Sequence, residues 1–272
     1  MTKLDDFSEA ARLALAHMKP GVLTNHVMTT AEYRADVAEG SLYAYTWPGG
    51  LLFLRKRATY HMLSYCVNDL SIFPGYKLPE DTMTETAYKQ SGAENAARIV
   101  DFWKHAGMWP AFERIRLTRA SGLGLTVNAG TEKAYNLHFG LATPRDTDAC
   151  NDLMYASFDR LTGHIPNYYE LCESINAGHI LCMKDSHGAV CGLLRWMPRT
   201  ASLEIRQLAL REDMRGKGLA RKLINEFLDI MDGNKITVWA RDGYAPALKS
   251  YAAAGFVPDG WRSTVLTIRI KS

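Results

Sequence analysis

Two hydrophobic periods alternate along the second half of the chain. Residues 216–231 place Leu219, Leu223, Phe227 and Met231 four apart, with Ile224 and Leu228 beside them. That spacing is the stripe of an amphipathic helix, and Asp232-Gly233-Asn234 stops it. Upstream, 135–142 reads as a strand. Residues 145–158 read as a helix opened by Thr143-Pro144. A second helix at 167–176 ends at Ala177-Gly178. Strands follow at 179–184, 189–196 and 201–210, with turns at Ser186-His187-Gly188 and Pro198-Arg199-Thr200. Downstream come a strand at 235–240, a helix at 245–253, and strands around Phe256 and at 264–270. The order β-α-α-β-β-β-α-β-α-β-β predicts an α/β fold, a mixed central sheet flanked by helices.

The first half is less regular and reads as an α+β domain. A helix is predicted at 4–18, strands at 42–47, 51–57 and 59–67, a helix at 93–105 and a strand at 112–118. Glycines and small residues cluster between Arg119 and Gly130. They place a boundary near 120–135 and domains at 1–130 and 131–272. Residues 97–110 can be laid on 245–258 with alanine, alanine-glycine and proline coinciding at four positions. Each segment is a helix ending in glycine before a strand, and each follows a three-strand run. The first half therefore reads as a diverged copy of the second; the competing reading is chance, since helix–glycine–strand is a common pattern.

Composition narrows the class. With 272 residues, 47% hydrophobic and 22% charged, disorder, collagen and coiled coil are excluded. A net charge of +3, from 32 basic and 29 acidic residues, gives no reason to expect nucleic acid and suits small anionic ligands. No apolar run approaches the roughly 18–20 residues that span a bilayer. The segment Met1-Thr2-Lys3-Leu4-Asp5-Asp6-Phe7 lacks a signal-peptide core. The expectation is a cytoplasmic protein with no membrane partner. Cys66, Cys150, Cys172, Cys182 and Cys191 form no C-x-x-C pair and read as free, mostly core thiols. The eight histidines show no H-x-x-x-H or H-E-x-x-H spacing, so no metal is expected.

The candidate chemistry sits at 203–221. A strand enters a turn with two glycines that opens the long helix. The first amides of a helix lack internal partners and lie at the positive end of its dipole. A pyrophosphate can accept those bonds. Gly216 and Gly218 clear the approach of side chains, and Arg215, Lys217 and Arg221 add positive charge. The competing reading is a solvated basic helix start. A Walker loop and a Rossmann fingerprint are both absent.

Arg215-Gly216-Lys217-Gly218-Leu219-Ala220 matches Q/R-x-x-G-x-G/A at its three specified positions. Tyr251-Ala252-Ala253-Ala254-Gly255-Phe256 supplies tyrosine, three residues, then Gly-Phe. Both motifs, and the element order around them, resemble the GNAT superfamily of N-acetyltransferases over roughly half the chain. The resemblance implies acetyl-CoA in a splay between strands 201–210 and 235–240. It implies pantetheine against Leu208, Ala209 and Leu210, and the pyrophosphate on Gly216, Lys217, Gly218, Leu219, Ala220 and Arg221. A main-chain N–H near Leu208 would meet the acetyl carbonyl where negative charge develops. Glu204 is the implied general base, and burial among apolar neighbours would raise its pKa toward neutrality. The competing reading pairs it with Arg195 or Arg206 on a solvated face. Tyr251 is the implied general acid, or else a core tyrosine.

Two departures stand out. Tyr244 occupies a position where many members have a cofactor-contacting asparagine, and Trp239 one where some carry a glutamate base. The first half lacks R-x-x-G-x-A, and Trp103 stands where Tyr251 would be. Such a repeat would shape the acceptor pocket or an oligomer interface. Its aromatics Tyr43, Tyr45, Trp47, Phe53, Tyr60 and Tyr65 would line that pocket or fill a core. The function implied is acetyl transfer to a primary amine of a small molecule or amino acid derivative, without a covalent enzyme intermediate. A homodimer is compatible with it. The alternative is a non-catalytic acyl-CoA-binding or sensing protein, or a transferase of longer acyl chains.

Overall fold

In each unit, alternating apolar positions put both faces of the strands against helices. The computed structural model describes residues 1–26, 28, 30–122 and 136–268. The chain forms two units, Met1–Arg114 with Trp261–Ser272, and Ile115–Gly260. The boundary expected at 130/131 falls on residues 123–135, outside the described residues.

The first unit contains β1 (Thr2–Lys3), α1 (Phe7–His17), β2 (Leu23–Thr24), α2 (Thr30–Ala38), β3 (Leu42–Trp47), β4 (Gly50–Lys56), β5 (His61–Val67), β6 (Thr82–Lys89), α3 (Ala93–His105) and the start of β7 (Met108–Arg119). Strands β3, β4 and β5 form an antiparallel meander, and β5 then runs parallel to β6. Along β4, Leu51 and Phe53 face the α1 and α2 residues Ala10, Ala14 and Tyr33. Leu52 and Leu54 face Ile99, Phe102 and Trp103 of α3. This is the period-2 signature of a sheet covered on both sides.

The second unit holds the end of β7, then β8 (His138–Leu141), α4 (Thr147–Ser157), α5 (Tyr168–Asn176), β9 (Ile180–Lys184), β10 (Val190–Arg199), β11 (Ser202–Leu210), α6 (Leu219–Ile230), β12 (Ile236–Arg241), α7 (Ala245–Ala253) and the start of β13 (Val257–Ile268). Strands β8 to β11 pair antiparallel, and β11 pairs parallel with β12. Ile180 and Cys182 of β9 pack with α4 and α5. Leu181 and Met183 pack in the cluster of α6 and α7. Helix α6 buries Leu219, Leu223, Ile224, Phe227 and Leu228, each stabilising by roughly 1.5–3 kcal/mol before entropy is counted. The expected mixed α/β fold is present, and the first unit repeats its plan.

The structure adds and moves elements. Strand β6, with alternating Thr82, Thr84 and Thr86, and helix α2 have no counterpart in the sequence-based expectation. The two strands expected at the C-terminus are one strand, β13, which keeps going through the left-handed Gly260 at φ +85°. Its residues Trp261 to Thr267 pair antiparallel with β6, within the first unit. Among the described residues no helix is long and apolar enough to cross a membrane.

Candidate active site

Strand β11 sets up the site by leaving its neighbour. Its parallel pairing with β12 covers Leu203↔Ile236, Glu204↔Thr237 and Ile205↔Val238 and goes no further. A bulge drives the departure. On β10, Arg195 faces Gln207 and the next residue, Trp196, faces Ile205, so Arg206 is the extra residue on β11. Bulges bend and twist the strand that carries them. The Arg211 N–H bonds Cys191 O on the β10 side, so alternation turns the main chain of Leu208 and Leu210 toward the gap. Leu208, Ala209 and Leu210, the expected pantetheine contacts, therefore form one wall of a V-shaped opening.

The turn after β11 carries the other predicted residues. Gly216 and Gly218 are left-handed, at φ +72° and +77°, a conformation that glycine adopts without penalty. Helix α6 consequently begins at Leu219, three residues later than the periodicity predicts, with Gly218 as its N-cap. Among the described residues, none of the amides of Gly216, Gly218, Leu219 and Ala220 bonds a backbone carbonyl. Among the described residues, nothing beyond Gly216's own chain neighbours lies within 4 Å of where a Cβ would stand. Lys217 and Arg221 flank these amides in sequence. Two arginines hold the turn: Arg215 Nε donates to Leu210 O at 3.0 Å, and Arg211 reaches Asp185 at 3.1 Å and Asp213 at 2.7 Å. The result is a cradle of donors at the positive end of a three-turn helix, suited to a diphosphate.

Tyr251 lies on α7, 4% exposed, in the apolar cluster that includes Ile205, Val238 and Leu219, with Leu208 packed against it. Phe256 meets its ring edge-on at 5.4 Å. Its hydroxyl makes no hydrogen bond among the described residues. Burial raises the phenol far above the ordinary tyrosine range, so it holds its proton at every working pH.

Glu204 departs from expectation. Burial pushes its pKa up, but Arg206 and Arg199 outweigh that, and the carboxyl is held below its usual 4.5. Arg206 Nη1 donates to Oε1 at 2.6 Å and Arg199 Nε to Oε2 at 2.8 Å. Both oxygens are engaged. The ion-paired reading is the one observed, although the pair is buried, with Glu204 only 9% exposed, and not on a solvated face. Arg195 bonds elsewhere: Nε to Ser174 Oγ at 2.9 Å and Nη1 to Gln207 Oε1 at 3.0 Å. Gln207 Nε2 in turn donates to His164 O at 2.9 Å, which ties the 158–167 connection to β11. Arg199 and this Arg195–Gln207 relay were not read from the sequence. They depend on the bulge, which has no sequence signal.

The corresponding place in the first unit is filled. Strands β5 and β6 pair parallel only at His61↔Thr82 and Met62↔Met83 and then part. Asn25 occupies the gap. Its Nδ2 donates to Thr84 Oγ1 at 2.8 Å and Glu85 O at 3.0 Å, and its Oδ1 accepts from Tyr65 N at 2.8 Å. Strand β2 pairs with Cys66 and Val67 beyond it. The connection from β5 to β6 forms no helix, so it offers no helix N-terminus. Trp103, in the position of Tyr251, is wholly buried, and its Nε1 is enclosed without a partner.

Residues 147–256 match the model of the Acetyltransferase (GNAT) family. The second unit carries a GNAT domain. That family is one of acyltransferases. A tandem GNAT protein from the clavulanic acid biosynthesis pathway superposes with a TM-score of 0.57 at 12% identity, over 100% of this chain and 98% of its own. A GCN5-related N-acetyltransferase from Sphaerobacter thermophilus gives 0.57 at 12% identity over 82% and 78%. A GNAT-family acetyltransferase from Colwellia psychrerythraea gives 0.55 at 12% identity over 97% of each chain. At such identities the likeness establishes the fold. With the tandem protein matched end to end, a C-terminal GNAT domain preceded by a GNAT-like repeat describes the architecture. No curated protein sequence matches the chain.

Proposed function

We propose that the second unit is an acetyl-CoA-dependent N-acetyltransferase acting by direct transfer on a primary amine of a small molecule or amino acid derivative. The observation that carries this is the set of amides at Gly216, Gly218, Leu219 and Ala220, which bond no backbone carbonyl among the described residues and open beside the β11–β12 gap. Those residues, with Lys217 and Arg221, would hold the diphosphate, and the main chain of Leu208 to Leu210 would hold the pantetheine arm. Acetyl-CoA, when bound, supplies an activated acyl thioester. The Leu208 N–H faces the gap where a developing oxyanion needs a donor. Tyr251 keeps a proton at its phenol oxygen, in the apolar cluster against which Leu208 packs, and can donate it to a leaving sulfur.

Glu204 takes a different part from the one expected. A carboxylate held ionised by two guanidiniums is a weak base. Its proposed role is electrostatic, and the acceptor nitrogen loses its proton to solvent. The reading as a binding or sensing module draws its support from this same neutralised carboxylate. Free-thiol release from acetyl-CoA across an amine panel separates the two. Turnover with some amine, diminished in Tyr251→Phe, supports the transferase; tight coenzyme A binding without turnover for any amine supports the module.

A further inference from the structure

Beside the gap, on the sheet face covered by α4 and α5, the bulge gathers an unusual set of charges. Glu204 and Arg206 share a face by alternation, and the extra residue brings Gln207 to that same side. Arg195, opposite Gln207, and Arg199, near the end of β10, complete the set. Three guanidiniums meet one carboxylate there. Glu204 is saturated by Arg199 and Arg206. Arg195 is 7% exposed and its recorded partners are the neutral oxygens of Ser174 and Gln207. Burial, followed by repulsion from Arg206, lowers it to about 10, so it stays a cation at neutral pH. The other titratable groups that face the set do not cancel it. Glu170 of α5 lies within electrostatic range of Arg195 and also accepts from Asn167 N at 2.9 Å; counted with Glu204, it still leaves three guanidiniums to two carboxylates. Burial and then Arg195 push His179 below the ordinary imidazole range, away from the charged form. A buried cation without a carboxylate partner is costly, and an excess of positive charge repels an ammonium while attracting an anion.

We propose that this cluster is the acceptor's anchor and selects amines that also carry a carboxylate, with Arg199 and Arg206 meeting the anionic group. The proposal rests on the transferase reading above and supplies its substrate class. Arg199 is suited to the role: its side chain is 40% exposed and its Nε alone is spent on Glu204. A charged hydrogen bond to a guanidinium contributes about ten- to hundred-fold in affinity. Amines bearing only positive charge, such as diamines, would be disfavoured by the same field.

The test is calorimetric titration of the full chain, in the presence of coenzyme A, with matched pairs that differ by one carboxylate: L-phenylalanine against 2-phenylethylamine, and L-lysine against cadaverine. The expected result is at least about ten-fold tighter binding of the carboxylated member of each pair, with the ratio shrinking toward one in Arg199→Gln. Coenzyme A titration of that variant checks that it is folded. Equal affinities within the pairs, preference for the decarboxylated members, or a ratio unchanged in both Arg199→Gln and Arg206→Gln would overturn the proposal. Binding of coenzyme A with no amine bound at all would also overturn it and leave the cofactor site standing. A carboxylate preference that persists without any coenzyme A affinity would sink the transferase reading and keep the cluster as an anion site.

Discussion

Replacing Gly216 with alanine separates the ligand-binding role of the turn from its backbone cost. At φ +72° an L-residue is strained by roughly 1–2 kcal/mol, and among the described residues the new methyl meets nothing within 4 Å beyond its own chain neighbours. Gly233, past the other end of α6, provides the control. It has φ +80° and equally open surroundings, so Gly233→Ala carries the same strain away from the amide cradle. Both variants should lose about 2–8 °C of melting temperature. They should differ in coenzyme A affinity. A methyl beside the open amides holds the diphosphate off by about a bond length and removes at least one charge-assisted hydrogen bond, about 1.5–3 kcal/mol. Calorimetric titration should therefore show roughly 10- to 150-fold weaker binding for Gly216→Ala and less than about a two-fold change for Gly233→Ala. Wild-type affinity in Gly216→Ala, or an equal loss in both, would refute the assignment of the diphosphate to this turn.

Tyr251→Phe removes a hydroxyl with no hydrogen-bond partner among the described residues, so melting should be unchanged while kcat falls about 10- to 100-fold, at or below the low end for general acids because a thiolate leaves readily; an unchanged kcat would return Tyr251 to the core. Glu204 makes stability depend on acid. Its folded pKa lies below the unfolded 4.5, so its contribution is present above that value and is lost as pH falls through the folded pKa. Glu204→Gln should cost about 1.5–3 kcal/mol in urea unfolding at pH 7, because the part-buried Arg206 and the more exposed Arg199 lose a charged hydrogen-bond acceptor, and much less at pH 3. The pH profile of turnover should rise with ionisation of the acceptor amine and show no carboxylate inflection between pH 5 and 7. Asn25→Ala should destabilise the first unit by about 2–4 kcal/mol through the buried groups it leaves unpaired, and coenzyme A stoichiometry should remain one per chain.

The legible parts of the sequence were those whose physics is local. Helix α6, its glycine-rich opening and the alternating strands around it follow from spacing and turn chemistry at adjacent residues. Helices α3 and α7 match their predicted spans, because Gly107 and Gly255 end them in left-handed turns. Features that depend on distant partners were not legible. Strand β6 alternates threonines and reads as neither core nor surface until β5 and β13 flank it. Gly260 reads as a break, yet β13 passes through it. The environment of Glu204 depends on which residues a bulge turns to one side. A buried carboxylate among apolar residues and one held by two arginines have the same neighbours in sequence and opposite pKa shifts.

The two units face one structural problem and resolve it differently. A parallel strand pair that parts leaves main-chain donors and acceptors without a ladder, and such groups must find partners elsewhere. In the first unit the chain supplies them itself. The Asn25 carboxamide bonds both β5 and β6, and β2 covers the strand beyond. A ligand there would have to displace hydrogen bonds already made, with no helix dipole to compensate. In the second unit, among the described residues, no side chain plays that part for Leu208, and in the proposed reading the neighbouring amides of α6 turn the same demand toward a single anionic ligand. Sequence decay in the first unit therefore reaches further than a lost glycine motif. Restoring R-x-x-G-x-A between β5 and β6 would not recover cofactor binding while Asn25 stays in place.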